Sequence, residues 1–196
     1  MKTIFYILIF STIFSCGSNH DSTESKPAPV AEETQPATEE AEPTAPAVQK
    51  TMLVGQIEKS DLMQPPFSSW FMAGNESFSP ADAQLEIIKD NISEFDNIKI
   101  FMGTWCGDSK REVPHFYKIL ELSDYNLEKV DLVAVDRRKT TPDNLQEVYN
   151  ITRVPTIIFF KDGKEVNRFV EYPQENLETD IANIVSGKDY KNSYAQ

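Results

Sequence analysis

The sequence predicts an α/β fold in which helices flank a mixed central sheet within a single domain. Between residues 78 and 185, short apolar runs that are typical of strands alternate with longer stretches whose apolar residues recur at helical spacing. The run at 157–160 is apolar on both faces, which is typical of a strand inside a sheet. Asp162-Gly163 follows this run and predicts a hairpin turn into a last strand at 164–170.

Each remaining element follows from its own pattern. Strands are predicted at 98–102 and 130–136, where apolar residues dominate. Ser79-Pro80-Ala81-Asp82 predicts a helix start with Ser79 as the N-cap. Further helices are expected at 110–122, after Thr141-Pro142-Asp143 and at 174–185. Pro114 should bend the first of these helices. The end of the chain, 188–196, should fray.

Residues 1–15 are expected to be a lipoprotein signal peptide. One positive charge, Lys2, precedes an apolar run of about 11 residues, which is too short to span a bilayer that takes roughly 20. The run ends in Ile13-Phe14-Ser15-Cys16-Gly17, which resembles the lipobox of bacterial lipoproteins. That resemblance implies a diacylated Cys16 and attachment to a membrane through the lipid anchor. A plain secretory signal that is cleaved nearby is the alternative.

Residues 16–50 are expected to form the lipidated N-terminus and a disordered acidic tether. From residue 18 to residue 50 the chain is rich in Pro, Ala, Glu and Thr and has no aromatic residue, so it cannot bury enough apolar surface to fold. Residues 51–77 are apolar and aromatic, and they are predicted to be an extension that packs on the domain at 78–196. An exposed aromatic patch for a partner is the alternative for that stretch. The net charge of −12 excludes a nucleic-acid surface, because phosphate binding needs a stripe of Lys or Arg.

The stretch 104–109, Thr-Trp-Cys-Gly-Asp-Ser, lies between a predicted strand and a predicted helix. A thiol at a helix N-terminus is biased toward the nucleophilic thiolate, which favours reactive chemistry at Cys106. Cys16 is the only other cysteine, so a lipidated Cys16 would leave Cys106 without a disulfide partner. Ser109 occupies the fourth position of a Cys-x-x-Cys motif and cannot resolve a mixed disulfide. The Asp108 carboxylate beside the thiol should oppose the effect of the helix N-terminus.

The order of these elements resembles the thioredoxin superfamily over about 78–185. Two separated motifs carry the resemblance, Trp105-Cys106-Gly107 and Val154-Pro155-Thr156. It implies a thioredoxin-like fold, a cis peptide bond before Pro155 facing Cys106, and a Val154 backbone that pairs with a bound peptide or disulfide. With the lipobox and the tether, the chain resembles thioredoxin-like envelope lipoproteins of Gram-negative bacteria, which implies a periplasm-facing or surface location.

Two departures from the family pattern define the expected chemistry. Ser109 replaces the second cysteine, and Ile100 stands where redox-active thioredoxins usually hold a buried aspartate. They favour a monothiol thiol–disulfide exchange protein, in which Cys106 forms a mixed disulfide with protein thiols or disulfides and an external thiol releases it. The expected catalytic group is Cys106 with Trp105, Asp108 and Ser109, and Val154 and Pro155 are expected to bind the substrate. Neither a cofactor nor a metal is expected.

Three alternatives to this interpretation remain open. The first is a redox-inactive adaptor or chaperone-like module that uses the groove at Trp105, Val154 and Pro155, and the second is an inert buried thiol. The third is iron–sulfur binding, because Cys-Gly-x-Ser resembles monothiol glutaredoxins, although residues 167–170 lack the Gly-Gly pair of that family. The basic run 137–139 is expected to be a solvated loop or a contact for an anionic partner. His115 should point away from Cys106, which makes it a poor base for the thiol.

Overall fold

The computed structural model of the protein describes residues 51–195, so the signal, anchor and tether predictions for residues 1–50 lie outside the described residues. The strands are β1 Gly55–Ile57, β2 Asn97–Met102, β3 Val130–Ala134, β4 Thr156–Lys161 and β5 Lys164–Val170. The helices are α1 Lys59–Leu62, α2 Ser68–Ser77, α3 Asp82–Asn91, α4 Gly107–Leu122, α5 Leu145–Val148 and α6 Leu177–Val185. Short 3₁₀ turns cover Ile92–Glu94 and Leu127–Lys129. No helix among residues 51–195 is long and apolar enough to cross a membrane.

The five strands form one mixed sheet in the order β1-β3-β2-β4-β5. β2 and β3 are parallel, while the other neighbouring pairs are antiparallel. The predicted α/β class with a mixed central sheet flanked by helices is therefore confirmed. The predicted interior strand, β4, lies between β2 and β5. The predicted hairpin turn is also confirmed, because Asp162 and Gly163 adopt φ values of 52° and 69° between paired Lys161 and Lys164, as a type I′ turn requires.

The two faces of the sheet carry cores of different size. Alternation along β2 directs Ile98, Ile100 and Met102 to one face, where helices α2, α3, α4 and α6 contribute to the larger core. Phe101 lies on the other face, in a smaller core that includes Val133, Val135, Ile151, Val154 and Ile158. Trp105 and Cys106 pack against this smaller core. These two residues of the predicted reactive stretch therefore lie on the face of the sheet that carries the smaller core.

Helix α4 continues through Pro114, which has no N–H to donate to the preceding turn. The extension at 51–77 packs at this point. Asn75 donates from Nδ2 to the Pro114 carbonyl at 3.3 Å. A Cβ atom on Gly74 would lie 3.0 Å from the Pro114 Cβ, so glycine permits this close approach of α2 to α4. The extension also supplies β1, which pairs with β3 at the edge of the sheet.

Several helix starts differ from the sequence prediction: α4 begins at Gly107 rather than 110, and α6 begins at Leu177 rather than 174. α3 begins at Asp82 with Ala81 as its N-cap rather than Ser79, because Ala81 keeps an extended backbone while its carbonyl accepts the first helical bonds. α5 begins at Leu145 after a left-handed Asn144. Thr141 still contributes there, because its Oγ1 accepts a hydrogen bond from the Leu145 N–H at 2.9 Å.

The prediction that the end of the chain frays is wrong for the described residues up to 195. The Tyr190 hydroxyl donates to buried Asp180 at 2.9 Å, and Asn167 donates to the Tyr190 carbonyl at 3.1 Å. Ser193 donates to the Tyr172 carbonyl at 2.7 Å. These contacts join the segment to β5 and α6, so its polar composition did not indicate its conformation.

Glu112 is a buried carboxylate on α4, with a relative exposure of 3%. Arg111 donates from Nε to Glu112 Oε1 at 2.7 Å. Burial raises the pKa of Glu112 above its ordinary value of 4.5, the contact with Arg111 opposes that rise, and the charges of Asp108 and Asp180 add to it. The native state therefore binds more protons than the unfolded chain between the ordinary and the raised pKa values. Stability from this source is present below pH 4.5 and is lost as the pH rises through the native pKa.

Replacing Glu112 with Gln removes this titration. We expect the free energy of unfolding of Glu112→Gln, relative to the natural protein, to rise as the pH increases from about 4 to about 7. Urea unfolding at several pH values measures the difference. Glu86→Gln, the same chemical change at an exposed position of α3, is the control for the loss of one negative charge. A flat or falling difference for Glu112→Gln would contradict the raised pKa.

Candidate active site

Cys106 is the N-cap residue of α4, at the end of the loop that leaves β2. Its backbone N–H donates to the Gly103 carbonyl at 2.9 Å, and its carbonyl accepts from the Lys110 N–H at 3.1 Å. The side chain is half-buried and unpaired as a disulfide. Its Sγ donates to the Val154 carbonyl at 3.3 Å. The sulfur therefore faces the loop that precedes β4.

The loop before β4 contains the two residues predicted to bind the substrate. Val154 is buried in the smaller core, and the Val154-Pro155 peptide bond is cis. Thr156 donates from Oγ1 to the Arg153 carbonyl at 2.8 Å, which fixes the loop at the start of the strand. Cys106, Val154 and Pro155 are thus brought together across 48 residues of sequence by the pairing of β2 with β4.

Trp105 is half-buried beside the thiol. Its indole Nε1 donates to the Val135 carbonyl at 3.0 Å, just beyond the end of β3. A Cβ atom on Gly103 would lie 2.7 Å from Cε2 of this indole, so the ring can occupy its position only because residue 103 is glycine. The hydrogen bond and the contact with the glycine backbone hold the ring in one orientation next to Cys106.

Ser109 is fully buried in the first turn of α4. Its Oγ accepts a hydrogen bond from the Gly103 N–H at 3.1 Å, which closes the loop between β2 and α4. This hydroxyl is engaged with the backbone and has no capacity to form a disulfide. Asp108 pairs with Arg111 at 2.8 Å, so the carboxylate that follows the thiol along the chain has a cationic partner.

The extension at 51–77 supports the same loop. Leu53 donates from its backbone N–H to Oγ1 of Thr104 at 3.2 Å, and Thr104 is buried two residues before Cys106. The sequence did not indicate this contact, because a hydrogen bond between a backbone group and a side chain 51 residues apart leaves no periodic signal. Thr104 is therefore a positioning residue that the sequence analysis missed.

Two further positions bear on proton transfer. Ile100 is fully buried in β2 opposite Leu132 and Ile157, so this position offers no carboxylate near the thiol. His115 stacks on Phe78 with ring centroids 4.3 Å apart. Burial lowers the pKa of His115, and the nearby Arg111 charge adds to that effect. No cluster of three His, Cys, Asp or Glu residues suited to a metal ion occurs within residues 51–195.

Sequence comparison matches a family model described as Thioredoxin to residues 86–183. A thioredoxin from Staphylococcus saprophyticus is 34% identical over 93 residues, which cover 45% of this chain and 81% of that protein. Chloroplastic thioredoxin Y from Oryza sativa is 34% identical over 97 residues, which cover 50% of this chain. The chain spans about half of the rice protein, 52% of its length.

Structural comparison gives a similar architecture. The crystal structure of a protein of unknown function from Pseudomonas aeruginosa aligns with a TM-score of 0.51 over 68% of this chain and 93% of that chain. The sequence identity is 15%, so this likeness shows the fold alone. The segment that matches the family model runs from α3 to α6 and includes Cys106, Val154 and Pro155. The chain therefore belongs to the thioredoxin family and has the thioredoxin fold.

Proposed function

We propose that the protein is a membrane-tethered thiol–disulfide exchange protein that acts through Cys106 alone. The observation that carries this proposal is the half-buried thiol at the N-terminus of α4, 3.3 Å from the carbonyl that precedes Pro155. Membership of the thioredoxin family supports a redox role for a cysteine in this position. Cys106 is the only cysteine among residues 51–195, so no second thiol of the described domain can complete a dithiol cycle.

The reaction consists of two exchanges. The Cys106 thiolate attacks one sulfur of a partner disulfide, a bond forms between Cys106 and that sulfur, and the partner's S–S bond breaks. The departing sulfur leaves as a thiolate and takes a proton from water. The thiolate of an external thiol then attacks the partner sulfur of the mixed disulfide and releases the Cys106 thiolate. The external thiol and the partner form the new disulfide, and Cys106 returns to its initial oxidation state.

The Val154 carbonyl gives the first exchange a structural consequence. In the free protein this carbonyl accepts the S–H of Cys106. The attacking thiolate and the mixed disulfide both lack this S–H, so the carbonyl loses its donor and becomes available to a backbone N–H of the bound partner. We expect this replacement to couple formation of the mixed disulfide to pairing of the partner with the loop at Val154 and Pro155. The fixed indole of Trp105 would form the adjacent apolar surface.

The surroundings of the thiol favour exchange over rapid dithiol reduction. Ser109 cannot attack the mixed disulfide, and its oxygen is engaged with the Gly103 N–H. Ile100 supplies no carboxylate to accept or release a proton. The lack of a resolving thiol lengthens the lifetime of the mixed disulfide, because release then depends on an external thiol.

We further propose that the domain is held at a membrane of the cell envelope, on the periplasm-facing or surface side. The support is the lipobox-like sequence that ends at Cys16, together with the apolar run before it. Acylation of Cys16 would contribute membrane affinity of roughly 0.8 kcal/mol for each buried methylene. Cys106 would then meet its partners close to that membrane.

The first test removes the thiol. In a full chain with Cys16→Ala, Cys106 is the only cysteine, and we expect a mixed disulfide with bis(2-hydroxyethyl) disulfide that intact-mass spectrometry detects. The additional substitution Cys106→Ser should abolish this adduct while the circular dichroism spectrum stays unchanged. A chain that forms no adduct, yet binds peptides equally well with and without Cys106, would support the adaptor alternative instead.

The second test restores a resolving thiol. Ser109→Cys places a second thiol at the family's position, and we expect the trapped mixed disulfide to decrease by about tenfold or more, because intramolecular attack has a high effective concentration. Turnover in an insulin-reduction assay should appear at the same time. Ser109→Ala is the matched control: it also loses the hydroxyl that accepts from the Gly103 N–H but adds no thiol, so it should trap several times more partner than Ser109→Cys. Equal trapping by Ser109→Cys would show that the serine does not determine the monothiol behaviour.

The third test addresses the anchor. When the full chain is expressed in a Gram-negative host, we expect it in the membrane fraction, and Cys16→Ala should move it to the soluble fraction, because the acyl chains are lost. Cys106→Ala is the control and should stay with the membrane. Quantitative immunoblotting of the two fractions gives the ratio. Identical partitioning of the natural chain and Cys16→Ala would contradict the lipid anchor.

A further inference from the structure

We propose that the sulfur compound that exchanges with Cys106 carries a carboxylate beside its reacting sulfur, and that Arg137 and Arg153 bind this carboxylate. The inference rests on the proposed exchange at Cys106 and adds the chemical class of the partner. An acidic cysteine peptide and a small acidic thiol share this chemistry.

Arg137 lies over the ring that neighbours the thiol. Its Cζ is 5.6 Å from the centroid of the Trp105 indole, within the range of a cation–π contact. The indole is itself fixed by the Val135 carbonyl and by its contact with Gly103. Arg137 is exposed, and no carboxylate among residues 51–195 lies within ion-pair distance of it. An uncompensated positive charge therefore lies over Trp105, the residue that precedes Cys106 in the chain.

The turn that carries Arg137 is stabilised from within. The Asp136 carboxylate accepts hydrogen bonds from the backbone N–H groups of Arg138 at 2.9 Å and Thr140 at 2.8 Å. The hydrogen bond from Thr140 is the main cause that lowers the pKa of Asp136. Arg138 pairs with the same carboxylate at 3.4 Å and points into solvent, with 85% of its side chain exposed. Asp136 thus holds the turn together and offsets Arg138, while Arg137 lies over the Trp105 ring.

Arg153 belongs to the other loop of the site, the one that precedes β4. It directly precedes Val154, whose carbonyl accepts the Cys106 S–H. Its guanidinium stacks on Tyr194, with Cζ 3.8 Å from the ring centroid, and pairs with Glu171 at 3.1 Å. The Tyr194 hydroxyl donates to the same Glu171 carboxylate. Arg153 is therefore held in place but partly neutralised, so we expect Arg137 to contribute the larger share of carboxylate binding.

The net charge of the protein would favour the opposite partner, one that is cationic. A net charge of −12 should repel anionic partners and attract cationic ones at long range. That long-range effect is screened beyond a Debye length of about 8 Å at physiological salt, whereas a contact between a guanidinium and a carboxylate acts at hydrogen-bond distance. The order of reactivity toward disulfides of different charge therefore shows whether the local arginines or the net charge of the chain determines the preferred partner.

The experiment measures adduct formation by the full chain with Cys16→Ala at a fixed pH of 7. Three small disulfides serve as probes: anionic 3,3′-dithiodipropionate, neutral bis(2-hydroxyethyl) disulfide and cationic cystamine. Each rate is divided by the rate of the same disulfide with 2-mercaptoethanol, which removes differences in intrinsic reactivity. We expect the normalised rates to fall in the order anionic, neutral, cationic. The reverse order, or equal rates, would overturn the inference and leave the exchange function intact.

Arg137→Gln is the critical variant, and Arg138→Gln is its matched control in the same turn. We expect Arg137→Gln to lower the normalised rate with dithiodipropionate about fivefold and to change the neutral rate less than about twofold. Arg153→Gln should have a smaller effect of the same sign. Arg138→Gln should leave both rates within about twofold. Equal effects of Arg137→Gln and Arg138→Gln would overturn the inference, because they would indicate a change in net charge rather than a contact.

A final comparison distinguishes the two sources of the carboxylate. Three disulfide probes are compared: a cysteine peptide flanked by Glu, its Gln-flanked counterpart and dithiodipropionate. Each reacts with the chain that has the natural Arg137 and with the Arg137→Gln variant. If the Glu-flanked peptide reacts faster than both other probes and this preference is lost in Arg137→Gln, the partner is an acidic peptide. If dithiodipropionate reacts as fast as the Glu-flanked peptide, a small acidic thiol is sufficient. No preference for either acidic probe overturns the inference. Absence of reaction with all of the disulfides overturns both this inference and the proposed exchange function.

Discussion

The hydrogen bond from the Gly103 N–H to Ser109 Oγ fixes the loop on which the site depends. It joins the end of β2 to the first turn of α4, and both groups are buried. A buried N–H without an acceptor would cost about 1–3 kcal/mol, and a thiol sulfur is a weaker acceptor than a hydroxyl oxygen. Serine at this position therefore gives the loop a strong internal bond and removes the resolving thiol at the same time. The rigidity of the loop and the proposed monothiol chemistry therefore have one common cause.

The support of this loop extends beyond the part of the chain that matches the family model. Residues 86–183 match, yet Leu53 binds Thr104 and Asn75 binds the Pro114 carbonyl from outside that segment. β1 adds an edge strand next to β3, whose end precedes Val135, the acceptor of the Trp105 indole. The extension at 51–77 thus stabilises the loop and the helix on either side of Cys106. Its apolar composition has a structural role in the site as well as in the core.

Local pattern was sufficient to predict the α/β class, the Asp162-Gly163 hairpin and the junction at Cys106, because each depends on periodicity or on turn residues next to one another. Contacts between distant residues were not predictable in this way. Tyr190 lies in a polar segment that suggested fraying, but its hydroxyl meets Asp180 on α6. The run 137–139 suggested a solvated loop or a contact for an anion, and no local feature indicates that Arg137 alone stacks on Trp105. Tertiary structure determines which basic residue of the run 137–139 contacts the site.

The same distinction applies to charge. An acidic chain can present an uncompensated positive charge at one site when the carboxylates of the surrounding loops already have partners. Asp108 pairs with Arg111, Asp136 is engaged by its own turn and by Arg138, and Glu171 pairs with Arg153. Net charge governs encounter at distances where these pairs are not distinguished, which is why it disfavours a polyanion as large as a nucleic acid. The proposed selection among partners would act at contact distance, where the charge of Arg137 over Trp105 counts for more than the net charge of the chain.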